Sequence, residues 1–319
     1  MRSTGRRGVE MPGKIVVIGS LNMDFFVRVA QLPVPGETIL GSSFEMLPGG
    51  KGANQAYTVA RLGGTAEMIG CVGQDIFGQR LINNLKSVGV DTSRVLEISA
   101  SPTGAAFIAV EKNGQNQIVV APGANENLDS GHITRALSEI RPDYILLQLE
   151  VPVSIVECAI MVGHSQNAFL VLDPAPVKPI APGLLNQINI LTPNESEALF
   201  LLGRIGNRVP IEDAADVAGE LLRMGPREVI LKLGNNGAWY TDGLRSRHFP
   251  ARTVQAIDAT AAGDTFNGAL SVALAEGRSI DEAISFANIA ASLCVTKLGA
   301  QASVPTREEV DTLYSDCAQ

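Results

Sequence analysis

Short apolar runs alternate with segments of helical periodicity along most of the chain. Each run has the length of a strand that is buried on both faces of a sheet, and most runs end at a polar residue or a glycine. The clearest runs cover residues 15–18, 66–72, 144–149, 169–172, 188–191 and 229–233. Repeated alternation of strand and helix predicts a mostly parallel sheet with right-handed crossovers, and so an α/β three-layer sandwich.

Loosely alternating segments outside these runs predict a second, smaller sheet. The first pair of strands, at 25–29 and 38–44, is joined by a turn that contains prolines. The second pair flanks Asn113-Gly114, and an Asn-Gly pair between two β-rich runs is a strong hairpin signal. These strands predict a β-sheet lid, built from about 24–45 and 103–121, which would cover the site, join two subunits, or do both.

Polar residues stand just after the predicted strands, where open α/β sheets bind ligands. The residues in these positions are Asn22, Glu150, Asp173, Asn194, Gly234 and Asp258. Because the carboxyl ends of parallel strands lie at one edge of a sheet, this edge is predicted to contain the ligand-binding and catalytic residues. Asn22 and Asp24 would point the same way in an extended segment, although an Asx-type turn explains the pair equally well.

Gly49-Gly50-Lys51-Gly52 precedes Asn54 at the start of a predicted helix and is the first candidate for ligand binding. Its glycines leave only the Lys51 side chain near an approaching ligand. The segment is not a Walker A loop, because Gly52 stands where Ser or Thr would bind magnesium, and no dinucleotide fingerprint follows the first strand. A flexible hinge before the helix is the structural alternative, and the two interpretations are compatible.

The turn Ala261-Ala262-Gly263 is the second candidate. An apolar run at 253–257 predicts a strand before it, and helical spacing predicts a helix after it that closes at Gly277. Small residues let backbone N–H groups at the helix start approach a phosphate closely, so the turn predicts an anion site. Asp264 lies in the first turn, where the helix dipole alone favours an acid by roughly 0.3–1 kcal/mol, so an ordinary N-terminal acid is the alternative.

Composition and charge narrow the classes of function. Lys and Arg total 25 against 33 Asp and Glu, and the net charge of −8 with a pI near 5.0 argues against a nucleic-acid partner or an anionic membrane surface. No apolar run approaches the ~20 residues of a membrane span. The four cysteines show no CxxC spacing, which favours a reducing, cytoplasmic location. They are Cys71, Cys158, Cys294 and Cys317.

Residues 1–12 carry Arg2, Arg6 and Arg7 and predict a disordered leader before one domain at 13–319. The apolar stretch that follows, 14–18, is too short for a signal peptide, and a transit peptide is the alternative. No internal repeat or low-complexity segment divides the chain further.

Two glycine-rich segments, Gly49-Gly-Lys-Gly-Ala-Asn54 and Asp258-Ala-Thr-Ala-Ala-Gly-Asp-Thr-Phe-Asn-Gly268, lie about two hundred residues apart. Their sequences and their spacing resemble the two signatures of the ribokinase family of sugar kinases, and the family layout fits from Lys14 to about Leu313. Shorter motifs follow in the family's order and favour its ribose-specific branch over the fructokinase and adenosine kinase branches. These motifs are at 22–24, 148–150, 193–197 and 299–303.

This resemblance implies ATP-dependent transfer of the γ-phosphoryl group to the 5-hydroxyl of D-ribose. It makes Asp264 the catalytic base, and it makes the N–H groups of Ala261, Ala262 and Gly263 an anion hole for the transferred group. An aspartate with a reference pKa of about 3.9 is a weak base at neutral pH, so its value lies in orienting the attacking oxygen. The resemblance also implies a homodimer that forms through the lid.

Ligand residues carried over from the family fall into four groups. The sugar would contact Asn22, Asp24, Gly49, Gly50, Lys51, Asn54, Glu150 and Asp264. ATP would contact Asn194, Lys232, Leu233, Gly234, Asn235, Asn236, Gly237, Gly263 and Asn288. Mg²⁺, acting mainly through water, would be held by Asn194 and Glu197. A K⁺ ion would be held by Asp258, Thr260, Cys294, Lys297, Gly299 and Ser303.

Several alternatives stay open. The substrate could be another small sugar or a nucleoside, such as 2-deoxyribose, fructose or adenosine, and a catalytically silent sugar sensor on the same fold is a different class of protein. Asn288, on a small and apolar helix, would contact the nucleotide or would hydrogen-bond to neighbouring backbone. Two residues near the implied nucleotide and cation sites depart from the family: Ala259 stands where a hydroxyl residue is frequent, and Lys232 stands where Thr is common.

Overall fold

Strands and helices alternate along the computed structural model, which describes residues 13–111, 115–181 and 183–317. The strands are β1 Lys14–Ile18, β2 Asn22–Val29, β3 Ser43–Gly49, β4 Thr65–Gly73, β5 Asp91–Ile98, β6 Gly104–Glu111, β7 Asn116–Ala121, β8 Tyr144–Gln148, β9 Phe169–Asp173, β10 Ile190–Leu191, β11 Glu228–Lys232, β12 Ala238–Thr241 and β13 Ser246–Phe249. The helices are α1 Lys51–Arg61, α2 Ile76–Ser87, α3 Ser130–Ile140, α4 Val153–Ser165, α5 Glu195–Leu201, α6 Ala214–Leu222, α7 Ala262–Ala275, α8 Ile280–Cys294 and α9 Arg307–Cys317. None of the helices in these ranges has the length and apolar content that a bilayer span requires.

Nine strands form one large sheet in the order β13-β12-β11-β10-β9-β8-β1-β4-β5. Neighbours pair in parallel except β11 with β12 and β12 with β13. Alternate residues of β1 face opposite sides: Ile15 and Val17 pack with α1, α2, α7 and α8, whereas Val16 and Ile18 pack with α3 to α6. Two apolar cores on opposite faces of one sheet make a three-layer α/β sandwich, so this prediction is confirmed.

Four strands form a separate small sheet in the order β3-β2-β6-β7, and the predicted second sheet is therefore present. Its strand β3 covers Ser43–Gly49 instead of the predicted 38–44. The prolines and the positive φ of Gly36 leave 31–42 without a strand, and β3 pairs with β2 up to Gly49. The predicted turn at Asn113-Gly114 and the predicted leader at 1–12 lie outside the described residues.

The strand predicted at 253–257, ahead of the second glycine-rich turn, does not form. Residues 251–256 have no regular structure, because β13 ends the large sheet at Phe249 and the chain then runs beside α8. The N–H of Ile257 donates to the carbonyl of Val295 (2.7 Å), just past the end of that helix. Ile257 itself is 61% exposed, so the apolar run is not part of a buried strand.

Helices α1 and α7 touch at Gly268, and this contact brings the two glycine-rich segments together. A Cβ at position 268 would lie 2.6 Å from Thr58 Cβ and 3.1 Å from the carbonyl oxygen of Gln55. Both helices are buried along this contact, so neither can move away at low cost. Because Gly268 has no side chain, α1 and α7 approach closely, and this approach sets the distance between Asn54 on α1 and Asp264 on α7.

We expect Gly268→Ala to lower the free energy of unfolding by about 1–3 kcal/mol, the usual cost of overpacking a filled core. The matched control is Gly219→Ala in α6, where an added Cβ meets nothing within 4 Å. That change should be neutral or should stabilise the protein by about 0.4–1 kcal/mol. Urea unfolding measures both variants, and equal stability of the two would contradict the close contact of α1 with α7.

Candidate active site

Asp264 lies in the first turn of α7 with 5% of its surface exposed. Asn54 Nδ2 donates to its Oδ2 (2.9 Å), and Gln55 Nε2 donates to its Oδ1 (3.2 Å). Both amides belong to the start of α1, which begins at Lys51 directly after the glycine pair. The two glycine-rich segments of the sequence therefore meet at this carboxylate.

The backbone requires glycine at the start of α1. Gly50 has a φ of 87°, and a Cβ there would lie 2.7 Å from the main-chain nitrogen of Asn22. A Cβ on Gly52 would lie 2.6 Å from the carbonyl carbon of Gly19, just past the end of β1. Helix α1 can thus sit directly on the end of β1, which places Lys51 at the sheet edge.

The predicted sugar residues cluster on the side of the site nearest the small sheet. Glu150 Oε2 accepts a hydrogen bond from the main-chain N–H of Lys51 (3.0 Å) and another from the Ser20 hydroxyl. Asp24 packs directly on Gly49, where a Cβ would come within 2.0 Å of its carboxylate. Polar groups from β2, from the glycine-rich segment and from the loop after β8 thus face one another.

Asn125 orients Asn22, and it was not among the residues predicted for the site. Its Oδ1 accepts from the N–H of Leu21 (3.0 Å), and its Nδ2 donates to Asn22 Oδ1 (2.8 Å). It is buried in the 3₁₀ turn Gly123–Asn127. Asn22 lies 103 positions away in the sequence, and a single Asn in a turn carries no local signal for so distant a contact.

Burial and charge shift the pKa values of the site. Burial, aided by Glu150 and Asp264, raises the pKa of Asp24 from 3.8 to about 7. Burial also raises the pKa of Asp264, against the opposing effect of Lys51. Burial alone would lower the pKa of Lys51, but Asp264, Asp173 and the other carboxylates outweigh it and raise that pKa. A charged lysine therefore lies near two carboxyl groups, those of Asp24 and Asp264, that accept protons more readily than usual.

A cavity of about 390 Å³ opens beside Asp264 at the N-terminal end of α7, and we call it the phosphate cavity. Its walls include the three predicted anion-hole residues, 261–263. Ala261 adopts the left-handed conformation (φ 59°), which turns the chain into the helix. The N–H of Ala262 donates to the carbonyl of Ala259 over 3.2 Å, so an anion bound here would share or replace this long bond.

Asn194 and Glu197 also line the phosphate cavity, and together they form a capping box at the start of α5. Asn194 Oδ1 accepts from the N–H of Glu197 (2.9 Å), and Glu197 Oε2 accepts from the N–H of Asn194 (2.7 Å). Burial raises the pKa of Glu197, while the nearby ammonium of Lys232 opposes that shift. The two residues of the implied magnesium motif are therefore adjacent and already satisfy each other.

A second and mostly apolar cavity, of about 460 Å³, shares the Gly234 turn with the first. Gly234, Asn235 and Asn288 line it. Asn288 Nδ2 donates to the carbonyl of Phe249 (3.1 Å), so the backbone interpretation of this residue holds, although its side chain borders the cavity as well.

Three of the predicted nucleotide residues line neither of these two cavities. Leu233 is buried in the core. The carbonyl oxygen of Asn236 lies 2.6 Å from His248 Nε2. Gly237, with a φ of 87°, packs so closely that a Cβ would lie 2.1 Å from the carbonyl oxygen of Phe249. These residues belong to the turn at 233–237, whose other members, Gly234 and Asn235, line the cavities.

Most residues of the implied potassium site gather beside the turn that begins α7. Asp258 Oδ1 accepts from the N–H of Thr260 (2.9 Å), and its Oδ2 accepts from the N–H of Gly299 (2.9 Å). Lys297 was predicted to contribute its main-chain carbonyl; its N–H donates to the Cys294 carbonyl (3.1 Å), while its Nζ pairs with Glu309 (2.8 Å). The remaining contacts join Cys294 to the Thr260 carbonyl and to Ser303. In the part of the chain that the structure describes, no group of three or more His, Cys, Asp or Glu could hold a metal ion, so a cation here needs carbonyls and hydroxyls.

The chain matches the pfkB family of carbohydrate kinases over residues 12–307. It is 41% identical over 297 residues to the ribokinase of Haemophilus influenzae, which covers 92% of this chain and 96% of that protein. The solved structure of Arabidopsis thaliana ribokinase complexed with ribose and ATP superposes with a TM-score of 0.85 at 33% identity, covering 95% of this chain and 99% of that one. The deoxyribokinase of Salmonella typhi is 32% identical over 306 residues, which is 94% of this chain and 98% of that protein. The chain therefore belongs to the pfkB family of carbohydrate kinases.

The raised pKa of Asp24 makes the stability of the fold depend on pH. Between about pH 4 and pH 7 the folded chain keeps a proton on Asp24 that the unfolded chain has lost, so stability falls as pH rises through this window and levels off above it. The asparagine in Asp24→Asn cannot ionise, so the variant does not lose stability in this way. We expect the melting temperature of the variant minus that of the wild type to be a few degrees higher at pH 8 than at pH 5.

The matched control for this experiment is Asp242→Asn. The pKa of Asp242 is lowered to about 2, chiefly by backbone hydrogen bonds, so the residue is ionised in the folded and the unfolded chain throughout pH 5–8. Its melting temperature relative to the wild type should therefore stay constant over this range. A constant difference for Asp24→Asn as well would show that Asp24 has an ordinary pKa.

Proposed function

We propose that this chain catalyses the ATP-dependent phosphorylation of D-ribose at O5, which gives D-ribose 5-phosphate and ADP. The observation that carries the proposal is the Asp264 carboxylate, buried at the start of α7, held by two amides of α1 and bordering the phosphate cavity. Similarity to ribokinases over nearly the whole chain supports ribose as the sugar.

Asp264 acts as the base in this reaction. The sugar O5 forms a bond to the γ-phosphorus, the bond from that phosphorus to the β–γ bridging oxygen breaks, and its electron pair leaves with ADP. The O5 proton passes to a carboxylate oxygen of Asp264. The raised pKa of Asp264 makes it a better proton acceptor than an ordinary aspartate, and the two amides fix its orientation.

The sugar binds on the side of the site nearest the small sheet. Its ligands are Asn22, Asp24, Gly49, Gly50, Lys51, Asn54, Glu150 and Asp264. Below its raised pKa, the Asp24 carboxyl both donates and accepts hydrogen bonds, which suits a hydroxyl partner. An analogue that lacks one hydroxyl would leave a buried polar group of the site unpaired, so the site favours a fully hydroxylated pentose.

ATP places its base in the apolar cavity near Asn288 and its terminal phosphates against the N-terminus of α7. Magnesium fits this arrangement through water, because Asn194 and Glu197 already pair with each other and a hydrated ion leaves their capping box intact. When bound, the metal neutralises charge on the phosphates. Turnover that persists in excess chelator would contradict a magnesium requirement.

Potassium fits the cluster beside this turn, because the Asp258 carboxylate, the hydroxyls of Thr260 and Ser303 and nearby carbonyls are oxygen ligands for a monovalent ion. Its charge would order the turn that carries the anion-hole N–H groups. We propose activation by K⁺. An assay with sodium as the only monovalent cation tests this, and undiminished turnover would contradict it.

The small sheet serves as a lid on the domain at 13–319 and as the interface of a homodimer. It exposes 58% of Phe44 and 52% of Phe107, and Phe25 stacks on both rings with centroids 6.2 Å and 5.2 Å away. Exposed apolar patches of this kind mark interaction surfaces. Sedimentation equilibrium should give a dimer for the wild type and a monomer for Phe107→Asp, and a monomeric wild type would contradict the proposal.

We place the enzyme in the cytoplasm. Within the described residues Cys71, Cys158 and Cys294 are free thiols, and reduced thiols are typical of that compartment. Recovery of the chain from another cell fraction would contradict this placement.

2-Deoxyribose is the substrate that competes most directly with ribose, because a deoxyribokinase is among the relatives. Fructose and adenosine are further candidate substrates. A non-catalytic sugar sensor is the alternative if the protein is not an enzyme. Assays of ADP release with each compound separate these functions. We expect kcat/KM for ribose to exceed that for 2-deoxyribose by at least about tenfold.

We expect Asp264→Asn to lower kcat with ribose by about 10²–10⁴, the usual effect of removing a general base. The matched control is Asp281→Asn, which changes another aspartate in the first turn of a helix, α8, where it pairs with Arg247 at 2.6 Å. The control should keep wild-type turnover in the assay of ADP release. Full activity of Asp264→Asn would end its assignment as the base.

A further inference from the structure

Lys232 ends strand β11 and directs its ammonium into the phosphate cavity. Its Nζ lies 2.9 Å from Asp173 Oδ1, and the two side chains are 13% and 3% exposed. A Cβ built on Gly263 would lie 3.3 Å from the same Nζ. The ammonium group therefore stands beside a residue of the proposed anion hole.

Asp173 has a second partner besides Lys232. Its Oδ2 accepts from Gln55 Nε2 (3.1 Å), and the same Gln55 nitrogen donates to Asp264 Oδ1 (3.2 Å). One amide thus joins the carboxylates of Asp173 and Asp264, and the Lys232 ammonium pairs with the other oxygen of Asp173. Asp173 keeps a hydrogen bond to Gln55 when Lys232 moves away from it.

The charges around the phosphate cavity favour such a movement when ATP binds. Among the described residues that line the cavity, the acids outnumber the ammonium groups of Lys51 and Lys232. The acids are Asp173, Glu195, Glu197 and Asp264. The terminal phosphate of ATP adds more negative charge to this space. A lysine is a flexible point charge with three donors, and it binds phosphate well.

We propose that Lys232 is a catalytic residue that turns from Asp173 to the terminal phosphate of ATP and stabilises the charge on the transferred phosphoryl group. The proposal rests on the proposed function for the presence of ATP in this cavity, and it goes beyond the nucleotide contact implied for the whole 232–237 turn. No covalent bond to Lys232 forms: an Nζ–H donates to a γ-phosphate oxygen while the ion pair with Asp173 lengthens.

Nucleotide binding in the absence of sugar separates this role from that of a structural ion pair. Calorimetric titrations use β,γ-imido-ATP and ADP, each with magnesium, because only the first carries a γ-phosphate. We expect Lys232→Met to bind β,γ-imido-ATP about ten- to a hundredfold more weakly and to change ADP binding by less than about twofold. The control Lys86→Met, which alters an exposed lysine on α2, should bind both nucleotides as the wild type does.

Lys232→Met alone leaves the buried Asp173 carboxylate without its ammonium partner and could therefore misfold. The double variant Asp173→Asn/Lys232→Met removes both charges and avoids this problem. It should show the same selective loss as Lys232→Met, with a melting temperature closer to that of the wild type. With ribose, both variants should lose about 10²–10³ in kcat, as when one donor to a transition-state oxyanion is removed.

Equal weakening of ADP and β,γ-imido-ATP, or unchanged affinity for β,γ-imido-ATP in both variants, would overturn the proposal. The test does not depend on the identity of the sugar. If the wild type fails to phosphorylate ribose while Lys232→Met shows the selective loss, then the proposed function is wrong and the role of Lys232 is supported.

Discussion

Burial of the Asp264 carboxylate determines how the neighbouring side chains of the site are arranged. Removing a carboxylate from water is costly unless donors and an opposite charge replace its hydration. Asn54 and Gln55 supply two amide donors, and Lys51 supplies the charge. All three residues lie at the start of one helix, whose position is set by its contact with Gly268. The burial that makes this arrangement necessary also raises the pKa of Asp264 and so favours proton transfer to it.

Strand β2 links the sugar side of the site to the small sheet. Asn22, at its first position, pairs with Gly49 of β3 and with Gly104 of β6, so the strand is held on both sides where the site begins. Asp24 follows two residues later and packs on Gly49. A movement of the small sheet relative to α1 therefore moves the proposed sugar ligands relative to Asp264.

Sequence patterns predicted the parts of the fold that depend on residues close together in the chain. Buried parallel strands need continuous apolar runs, and close backbone approach needs small residues within a few positions, so the large sheet and the glycine-rich segments were recognisable. Strand β5 was not predicted, because it is a sheet edge with exposed positions. The run at 253–257 looked like a strand, but β13 already ends the sheet beside it. Gln55 and Gln148 join across 93 positions in the buried network under Asp264, and no local motif marks such a contact.

In the proposed reaction the Asp264 carboxylate takes the proton of the attacking sugar hydroxyl. A crystal structure of the chain with D-ribose and β,γ-imido-ATP would show whether the two groups meet. We expect an Asp264 oxygen within about 2.6–3.2 Å of ribose O5, with the γ-phosphorus on the far side of O5 next to residues 261–263. A sugar whose O5 forms its hydrogen bond with a different residue, with the Asp264 carboxylate out of its reach, would show that Asp264 is not the base.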